Sequence, residues 1–403
     1  MLPPDELVPP APHPTRRLRH SEGVRRLHPH PDAGADLRHT GSLSAAAGPH
    51  VYPEQMPEGT RSLLALPKAH LHLHFTGSMR VETVRELAEK HDLRLPHALT
   101  TQWPPELSGM DERGWFRFQR LYDAARAVVR DEDDMRRIVR EAAEDDAAEG
   151  SRWLEIQVDP TSYAPFVGGL TPALEIVLDE ARVATEATGT QVAVVVAASR
   201  MKHPLDARAL ARLAARYAGE GAGTVVGFGL SNDERRGWTG DFEPAFRIAT
   251  RAGLASAPHA GELLGADHVQ VALDHLLPDR LGHGIRAVED PAVLDRVVQE
   301  QVTLEVCPGS NVALGVYDSP GAVPLRRLLE VGVRVALGAD DPLLFGNRLA
   351  DQYVSARLDH GLDDAGLALL ARGSIEGSTA PPQVRRDLLA EVDTWLGSEG
   401  TSS

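Results

Sequence analysis

Cysteine is nearly absent from this chain, since Cys307 is the single one among 403 residues. One cysteine excludes an internal disulfide framework and any metal site built from several thiolates, and we expect Cys307 to be a buried spectator. Long apolar segments are missing too, because no run reaches the roughly 18 residues that a membrane-spanning helix needs. No apolar segment follows the arginines of the first 55 residues, so we recognise no secretory signal and expect a cytoplasmic protein.

Positive charge is also in short supply. The chain has 42 basic and 58 acidic residues, which gives a formal net charge of -16. A surface of this sign favours solubility and disfavours binding to nucleic acid or to an anionic membrane. We therefore expect neither as a partner, and small neutral or weakly charged substrates remain open.

The first 60 residues lack the apolar periodicity of a folded segment. They are rich in Pro, Arg, His, Ala and Gly, a composition that cannot bury enough surface to become ordered. We predict a disordered extension over residues 1–60 and one folded domain over residues 61–397. Met56 stands just before the predicted ordered part, and we hypothesise that the native chain starts there.

Beyond Leu66 the chain alternates between short apolar runs and helical stretches. Such alternation indicates βα units and a parallel sheet, and eight runs are the number that closes a (β/α)8 TIM barrel. The predicted strands are Ala69–Leu73, Trp153–Val158, Val192–Ala198, Val225–Leu230, Leu254–His259, Arg280–His283, Thr303–Cys307 and Arg334–Ala339. The predicted helices are Val81–Lys90, Met135–Glu149, Pro172–Ala187, Pro204–Tyr217, Phe242–Ala252, Val269–Leu277, Pro291–Gln299 and Leu325–Glu330, with further helices over Asp351–Leu396. The predicted fold class is therefore α/β, a barrel with extra helices.

An insertion over residues 91–134 separates the first two predicted strands. It carries five aromatic residues, which are Trp103, Trp115, Phe116, Phe118 and Tyr122. Aromatic residues in such a segment can form a lid over an active site or can pack the insertion onto the barrel. The sequence leaves both interpretations open.

The first predicted strand contains the pair His72 and His74. Successive side chains of a strand point to opposite faces, so these two histidines share one face and can bind one metal ion together. His70 has the same parity, but it lies about 13 Å from His74 along an extended strand, too far for one shared ion. We therefore interpret His70 as a packing residue.

Further candidate ligands follow later strands. His259, His283 and Asp340 each stand at the end of a short apolar run. The carboxyl ends of barrel strands meet at one rim, so these residues predict a single metal site there. Three histidines and an aspartate suit a divalent ion such as zinc with one position left for an activated water.

Glu262 lies three residues after His259 on the same predicted loop. A carboxyl group beside a metal-activated water is suited to general acid and base catalysis. A solvated helix-capping carboxylate is the other interpretation of this residue.

Several motifs taken together resemble the adenosine deaminases of the metal-dependent amidohydrolase superfamily, over about residues 64–396. The motifs are Lys68-Ala69-His70-Leu71-His72-Leu73-His74, His259-Ala260-Gly261-Glu262, Arg280-Leu281-Gly282-His283-Gly284, Glu305-Val306-Cys307-Pro308 with Ser310-Asn311, and Asp340-Asp341-Pro342-Leu343. The resemblance implies one zinc ion per chain, held by His72, His74, His259 and Asp340. It also implies that Glu262 protonates N1 of a purine while His283 orients the attacking hydroxide.

The resemblance further implies the reaction, which is hydrolytic deamination of adenosine and 2'-deoxyadenosine to inosine and ammonia. The implied partners are a purine nucleoside and water, and the implied substrate contacts come from His74, Thr76, Asn232 and Asp341, the last at the purine N7. Three positions depart from the family. Thr76 stands where an acidic residue contacts the ribose 5'-hydroxyl, Asn232 stands where glycine is usual, and His70 replaces a common glutamate.

Two alternatives remain. The same chemistry could act on another 6-aminopurine compound, namely adenine, a 5'-modified adenosine or 6-aminodeoxyfutalosine, and Thr76 motivates this alternative. A catalytically silent binding protein is the remote one, because none of the five ligand and acid positions is missing. Nucleobase deaminases with cysteine-ligated zinc are a poorer fit, since their ligands cannot be assembled from one cysteine.

Overall fold

A computed structural model describes residues 60–398 of the chain. The predicted disordered extension, apart from Thr60, and the start proposed at Met56 lie outside the described residues. Within residues 60–398, no helix combines the length and the apolar character needed to cross a membrane.

Eight parallel strands form the centre of the molecule, and each pairs with the strand that follows it in the sequence. The strands are β1 Lys68–His74, β2 Ser151–Val158, β3 Gln191–Ser199, β4 Val225–Ser231, β5 Ala255–Ala260, β6 Arg280–His283, β7 Thr303–Val306 and β8 Val335–Leu337. The segment that follows the last strand joins the first strand through a bridge between Leu73 and Asp340. The predicted (β/α)8 barrel is therefore confirmed.

Helices cover the outside of this barrel. They are α1 Val81–Lys90, α2 Glu112–Arg126, α3 Glu132–Ala148, α4 Ala164–Val167, α5 Leu170–Thr188, α6 Pro204–Arg216, α7 Glu243–Arg251, α8 Ala266–Leu276, α9 Pro291–Gln299, α10 Pro308–Ala313, α11 Leu325–Glu330, α12 Pro342–Phe345, α13 Leu349–Leu358, α14 Asp364–Gly377 and α15 Pro382–Gly397. Strand β3 shows why this arrangement forms. Its Val192–Ala198 segment is buried throughout, because a parallel strand is covered by helices on one face and by the barrel interior on the other.

The start of α3 and the end of β8 differ from the prediction because local contacts determine them. Helix α3 begins at Glu132 rather than Met135, because Asp131 and Asp134 form a reciprocal capping box. Strand β8 ends at Leu337 rather than Ala339. Beyond it the Ala339 amide donates to the ring of His70 and Asp340 adopts a positive φ of 63°, so the backbone turns toward the rim.

Candidate active site

Four side chains that sequence reasoning assigned to a metal converge at the carboxyl rim of the barrel. His74 Nε2 lies 3.2 Å from His259 Nε2 and 3.2 Å from Asp340 Oδ1. His72 Nε2 lies 3.5 Å from the same Asp340 oxygen. The chain thus brings ligand atoms from β1, β5 and the segment after β8 to one point.

The hydrogen bonds and the spacing of the imidazole nitrogens show whether these rings can bind a metal ion. His72 Nδ1 is 2.8 Å from Glu305 Oε2, so the ring donates its N–H to that carboxylate and directs Nε2 toward the cluster. Nε2 itself is buried and has no hydrogen-bond partner among the described residues. His72, His74 and His259 form one group whose ligand atoms lie within 4.8 Å of one another, and His72, His283 and Asp340 form another. A buried ring nitrogen directed at a carboxylate and without a partner of its own fits a divalent cation.

The electrostatics of the cluster also favour a cation. Burial alone would lower the pKa of His72, but the carboxylates of Asp340 and Glu305 raise it to about 10. Burial raises the pKa of a carboxyl, yet His72 and His74 hold the pKa of Asp340 well below its usual range. Asp340 is therefore an anion, and a metal that binds here displaces the proton of His72.

A fully buried chain of charges lies behind His72. Glu305 accepts from Arg280 Nε at 2.6 Å, and Arg280 donates to Glu155 at 2.5 Å. Glu155 in turn accepts from the indole of Trp153 and from Thr379. Sequence reasoning quoted Glu305 within a motif but gave it no role, and its contact with His72 joins two strands that are distant in sequence.

His70 does more than pack. It is buried, its Nδ1 lies 2.9 Å from Asp146 Oδ1, and its Nε2 accepts the backbone N–H of Ala339 at 3.0 Å. This bond holds the residue before Asp340. His70 is outside the groups of ligand atoms at the rim, and it supports the backbone that presents one of them.

Glu262 and His283 lie beside the cluster. Glu262 is 4% exposed, so the alternative of a solvated capping carboxylate does not apply. Burial, then the charges of Asp340 and Glu234, raise the pKa of Glu262 well above its usual range, which keeps the carboxyl protonated. Its Oε1 lies 3.6 Å from Nε2 of His283, and burial lowers the pKa of that imidazole to about 4.

A cavity opens above these groups, and all four predicted substrate-contacting residues line it: His74, Thr76, Asn232 and Asp341. Asn232 has a positive φ of 82°, a conformation that glycine and asparagine tolerate, which explains how asparagine can stand at a glycine position. Asp341 Oδ1 is buried and has no hydrogen-bond partner among the described residues. Burial, reinforced by Asp340, raises the pKa of Asp341 well above its usual range.

Thr76 has a partner that sequence reasoning did not foresee. Its Oγ1 is 2.5 Å from Oη of Tyr163, and both residues are buried. Tyr163 lies in the rim loop after β2 and also packs edge-on against Phe75 at 5.1 Å. Its position after a strand end was the one signal in the sequence that pointed to the rim.

Some aromatic residues of the insertion fit the interpretation as a lid, and another packs the insertion onto the barrel. Trp115, Phe118 and Tyr122 line the cavity, as a lid would. Trp103 instead packs the insertion onto the barrel by donating to the Leu343 carbonyl at 2.7 Å. Phe116 is 63% exposed and does not line the cavity.

Comparison with known proteins agrees with this geometry. The family model for adenosine deaminase matches residues 67–395. A putative adenosine/adenine deaminase from Streptomyces virginiae is 62% identical over 339 residues, which are 84% of this chain and 99% of that protein. An adenine deaminase from Rhizobium leguminosarum bv. trifolii is 34% identical over 332 residues, which are 82% of this chain and 99% of the relative.

A solved structure is similar along the same stretch. The crystal structure of adenine deaminase from Arthrobacter aurescens has a TM-score of 0.76 and 32% identity, and the match covers 82% of this chain and 99% of that chain. The chain belongs to the adenosine deaminase family of metal-dependent amidohydrolases, and its enzyme class is that of the hydrolytic deaminases.

Proposed function

We propose that this enzyme hydrolyses the 6-amino group of the free base adenine, giving hypoxanthine and ammonia, with zinc as its metal. The sequence motifs favoured adenosine and left adenine as an alternative. The relatives reported above shift the weight to that alternative, because two of the three are named adenine deaminases and the third is named for both substrates.

The observation that carries the choice of substrate is the bond between Thr76 and Tyr163. A carboxylate at position 76 would accept the ribose 5'-hydroxyl strongly, whereas a neutral hydroxyl accepts it weakly. Here that hydroxyl is already engaged at 2.5 Å inside a buried wall that includes Phe75. A sugar at this place would have to share the Thr76 hydroxyl with Tyr163, while a free base would leave their bond undisturbed.

Zinc is the proposed metal because of the donor set. His72, His74, His259 and Asp340 would hold the ion, and imidazole nitrogens with one carboxylate are typical zinc ligands. When bound, such an ion supplies Lewis-acid activation of water, lowering its pKa toward about 7 so that a nucleophile exists at neutral pH.

The residues of the chain perform the proton transfers. Glu262, kept protonated by burial, delivers a proton to the ring nitrogen N1, which makes C6 electrophilic. His283 is neutral at pH 7 and can accept a hydrogen bond from the attacking water. Asp341, whose raised pKa favours the acid form, can donate to N7. Of the two protons of the attacking water, one replaces the proton of Glu262 and the other converts the amino group to ammonia, which leaves as the C6–O bond forms and the C6–N bond breaks.

Ammonia release from adenine, adenosine and 2'-deoxyadenosine tests the proposal, with the metal content of the same preparation measured by elemental analysis. We expect the highest kcat/KM for adenine and one zinc ion per chain. Turnover of adenosine with adenine inert would overturn the choice of substrate.

Adenosine is the second candidate, favoured by the hydroxyl that Thr76 still offers to a sugar. The variant Tyr163→Phe releases this hydroxyl, and we expect it to raise the adenosine-to-adenine ratio of kcat/KM by up to about tenfold, the value of one hydrogen bond. Tyr217→Phe is the matched control, because the Tyr217 hydroxyl bonds Glu175 at an exposed site outside the cavity lining. A ratio unchanged in Tyr163→Phe would show that Thr76 does not restrict the sugar.

A further inference from the structure

A second buried glutamate lies directly behind the loop that carries Glu262. Glu234 follows β4 by three residues and is 1% exposed. Its Oε2 accepts the backbone N–H groups of Glu262, Leu263 and Leu264 at 3.2, 2.9 and 2.9 Å. Three successive amides of one loop therefore converge on one carboxylate oxygen.

Convergent amides of this kind form a site for an anion. In this chain the anion is a side chain of the protein itself. Burial alone would raise the pKa of Glu234, but His268, Arg200 and the amide of Leu264 hold it at about 2. Glu234 is thus ionised throughout the neutral range, and its charge-assisted bonds are stronger than those of a neutral acceptor.

The residues around Glu234 also hold the backbone of this loop at His259. Arg200 donates to the Thr239 hydroxyl at 2.7 Å and to the backbone carbonyl of His259. Thr239 is 2.9 Å from His268 Nε2, and His268 Nδ1 lies 3.7 Å from Glu234 Oε1. A ring of contacts therefore fixes the backbone at both His259 and Glu262.

We infer that Glu234 is a positioning residue whose carboxylate fixes the backbone of residues 262–264 so that the side chain of Glu262 faces the reacting purine. The inference rests on the proposed role of Glu262 but not on which 6-aminopurine is the substrate. A displacement of about 1 Å in such a group can lower the rate by about a hundredfold. Because the amides of this loop hold the acid, the loss should fall on kcat rather than on KM.

The variant Glu234→Gln keeps the shape of the side chain and removes its charge. We expect kcat to fall about 10- to 100-fold, with KM little changed and the full metal content retained. Hydrogen exchange of the peptide spanning residues 262–264 should become faster in the same variant, and this readout does not depend on turnover. Glu234→Asp, which restores the charge on a shorter stem, should recover part of both losses.

Glu149→Gln is the matched control, since Glu149 is also buried and accepts a backbone amide, that of Ala350, away from the cavity. It should leave kcat and the exchange of residues 262–264 unchanged. His268→Gln serves as a milder variant if Glu234→Gln does not fold, and it should lower kcat with faster exchange of the same peptide.

Three results would overturn the inference. The first is parental kcat and parental hydrogen exchange in Glu234→Gln or His268→Gln. The others are a loss of activity that only follows a loss of metal, and a loss of kcat in Glu149→Gln equal to that in Glu234→Gln. If the parent protein deaminates no adenine compound while exchange still rises in Glu234→Gln, the proposed function fails and the contact of Glu234 with the loop stands.

Discussion

The interior of the barrel and its carboxyl rim differ in how their buried polar groups are paired. In the interior, Arg280 is held between two carboxylates, those of Glu155 and Glu305. At the rim, five buried polar atoms on residues of the cavity lining or the metal cluster have no hydrogen-bond partner among the described residues: His72 Nε2, Gln157 Oε1, His259 Nδ1, His283 Nδ1 and Asp341 Oδ1.

This difference separates structure from function. A buried polar group without a partner costs free energy, so a cluster of them at one place needs a ligand to complete it. Thr303 Oγ1 and Tyr353 Oη, which also have no partner among residues 60–398, occur singly and away from the cavity lining. Substitutions at the rim should therefore reduce catalysis, and substitutions in the interior should reduce stability.

Metal removal should have the largest effect, because it leaves the whole rim cluster incomplete. We expect a chelator that strips the ion to reduce ammonia release to background, and zinc to restore it. Elemental analysis and activity of the same samples provide the measurement. Full activity in protein shown to be free of metal would contradict the assignment of the cluster.

Glu262→Gln comes next, since it removes the proton donor and leaves the ligands in place. General acid catalysis contributes about 10² to 10⁴ in rate, so kcat should fall by that factor while metal content and Tm stay near those of the parent. A decrease of kcat that parallels a decrease of bound metal would instead place Glu262 among the supports of the ligands.

Glu305→Gln sharpens the comparison because Glu305 belongs to both regions. Loss of a carboxylate that orients a ligating histidine lowers metal affinity by about 10- to 100-fold, and metal competition titration measures it. The matched control is Glu155→Gln, which pairs with the same Arg280 but does not contact His72. Both variants should lose about 3–5 kcal/mol of unfolding free energy, and Glu155→Gln should keep the parental metal affinity. Equal losses of metal affinity in the two variants would show that Glu305 does not act on the metal site through His72.

Trp115→Ala should have the smallest effect. Trp115 is 8% exposed and lines the cavity, so its removal should raise KM several-fold by admitting water, with kcat less affected. Phe116→Ala is the neighbouring control, because Phe116 is exposed and outside the lining. Steady-state kinetics with the best substrate distinguishes them, and the same KM in both variants would assign the insertion to packing alone.

The sequence was sufficient to predict which strands form and which candidate ligands the strand ends bring to the rim. Apolar runs are local signals, and the ligands follow them directly, as His259 follows its run. The hydrogen-bond partners of the site residues were not predictable, because each pair joins positions that are far apart in the sequence. The contacts of Glu305 with His72, of Tyr163 with Thr76 and of Glu234 with Leu263 all depend on how the closed barrel aligns its strands.

The predicted helix starts at Val81 and Leu325 are confirmed although no side chain caps them, whereas the starts of α3 and α8 were missed. The pair Asp131 and Asp134 marks the start of α3, whereas the early start of α8 at Ala266 follows Gly265 and has no side-chain cap. The end of β8 depended on the ring of His70, a contact that no local pattern reveals.

The junction between the first and the last strand has a consequence for how the protein matures. Asp340 donates its amide to the His72 carbonyl at 2.9 Å and accepts from the His74 amide at 3.0 Å, so the residues proposed to hold the metal also join β1 to β8. On the ribosome, a nascent chain that has emerged only through β7 has its histidines but neither Asp340 nor this junction. The proposed metal site is therefore complete only once Asp340 has been synthesised and joined to β1, so a chain that ends before this residue would lack both a proposed ligand and the closure of the barrel.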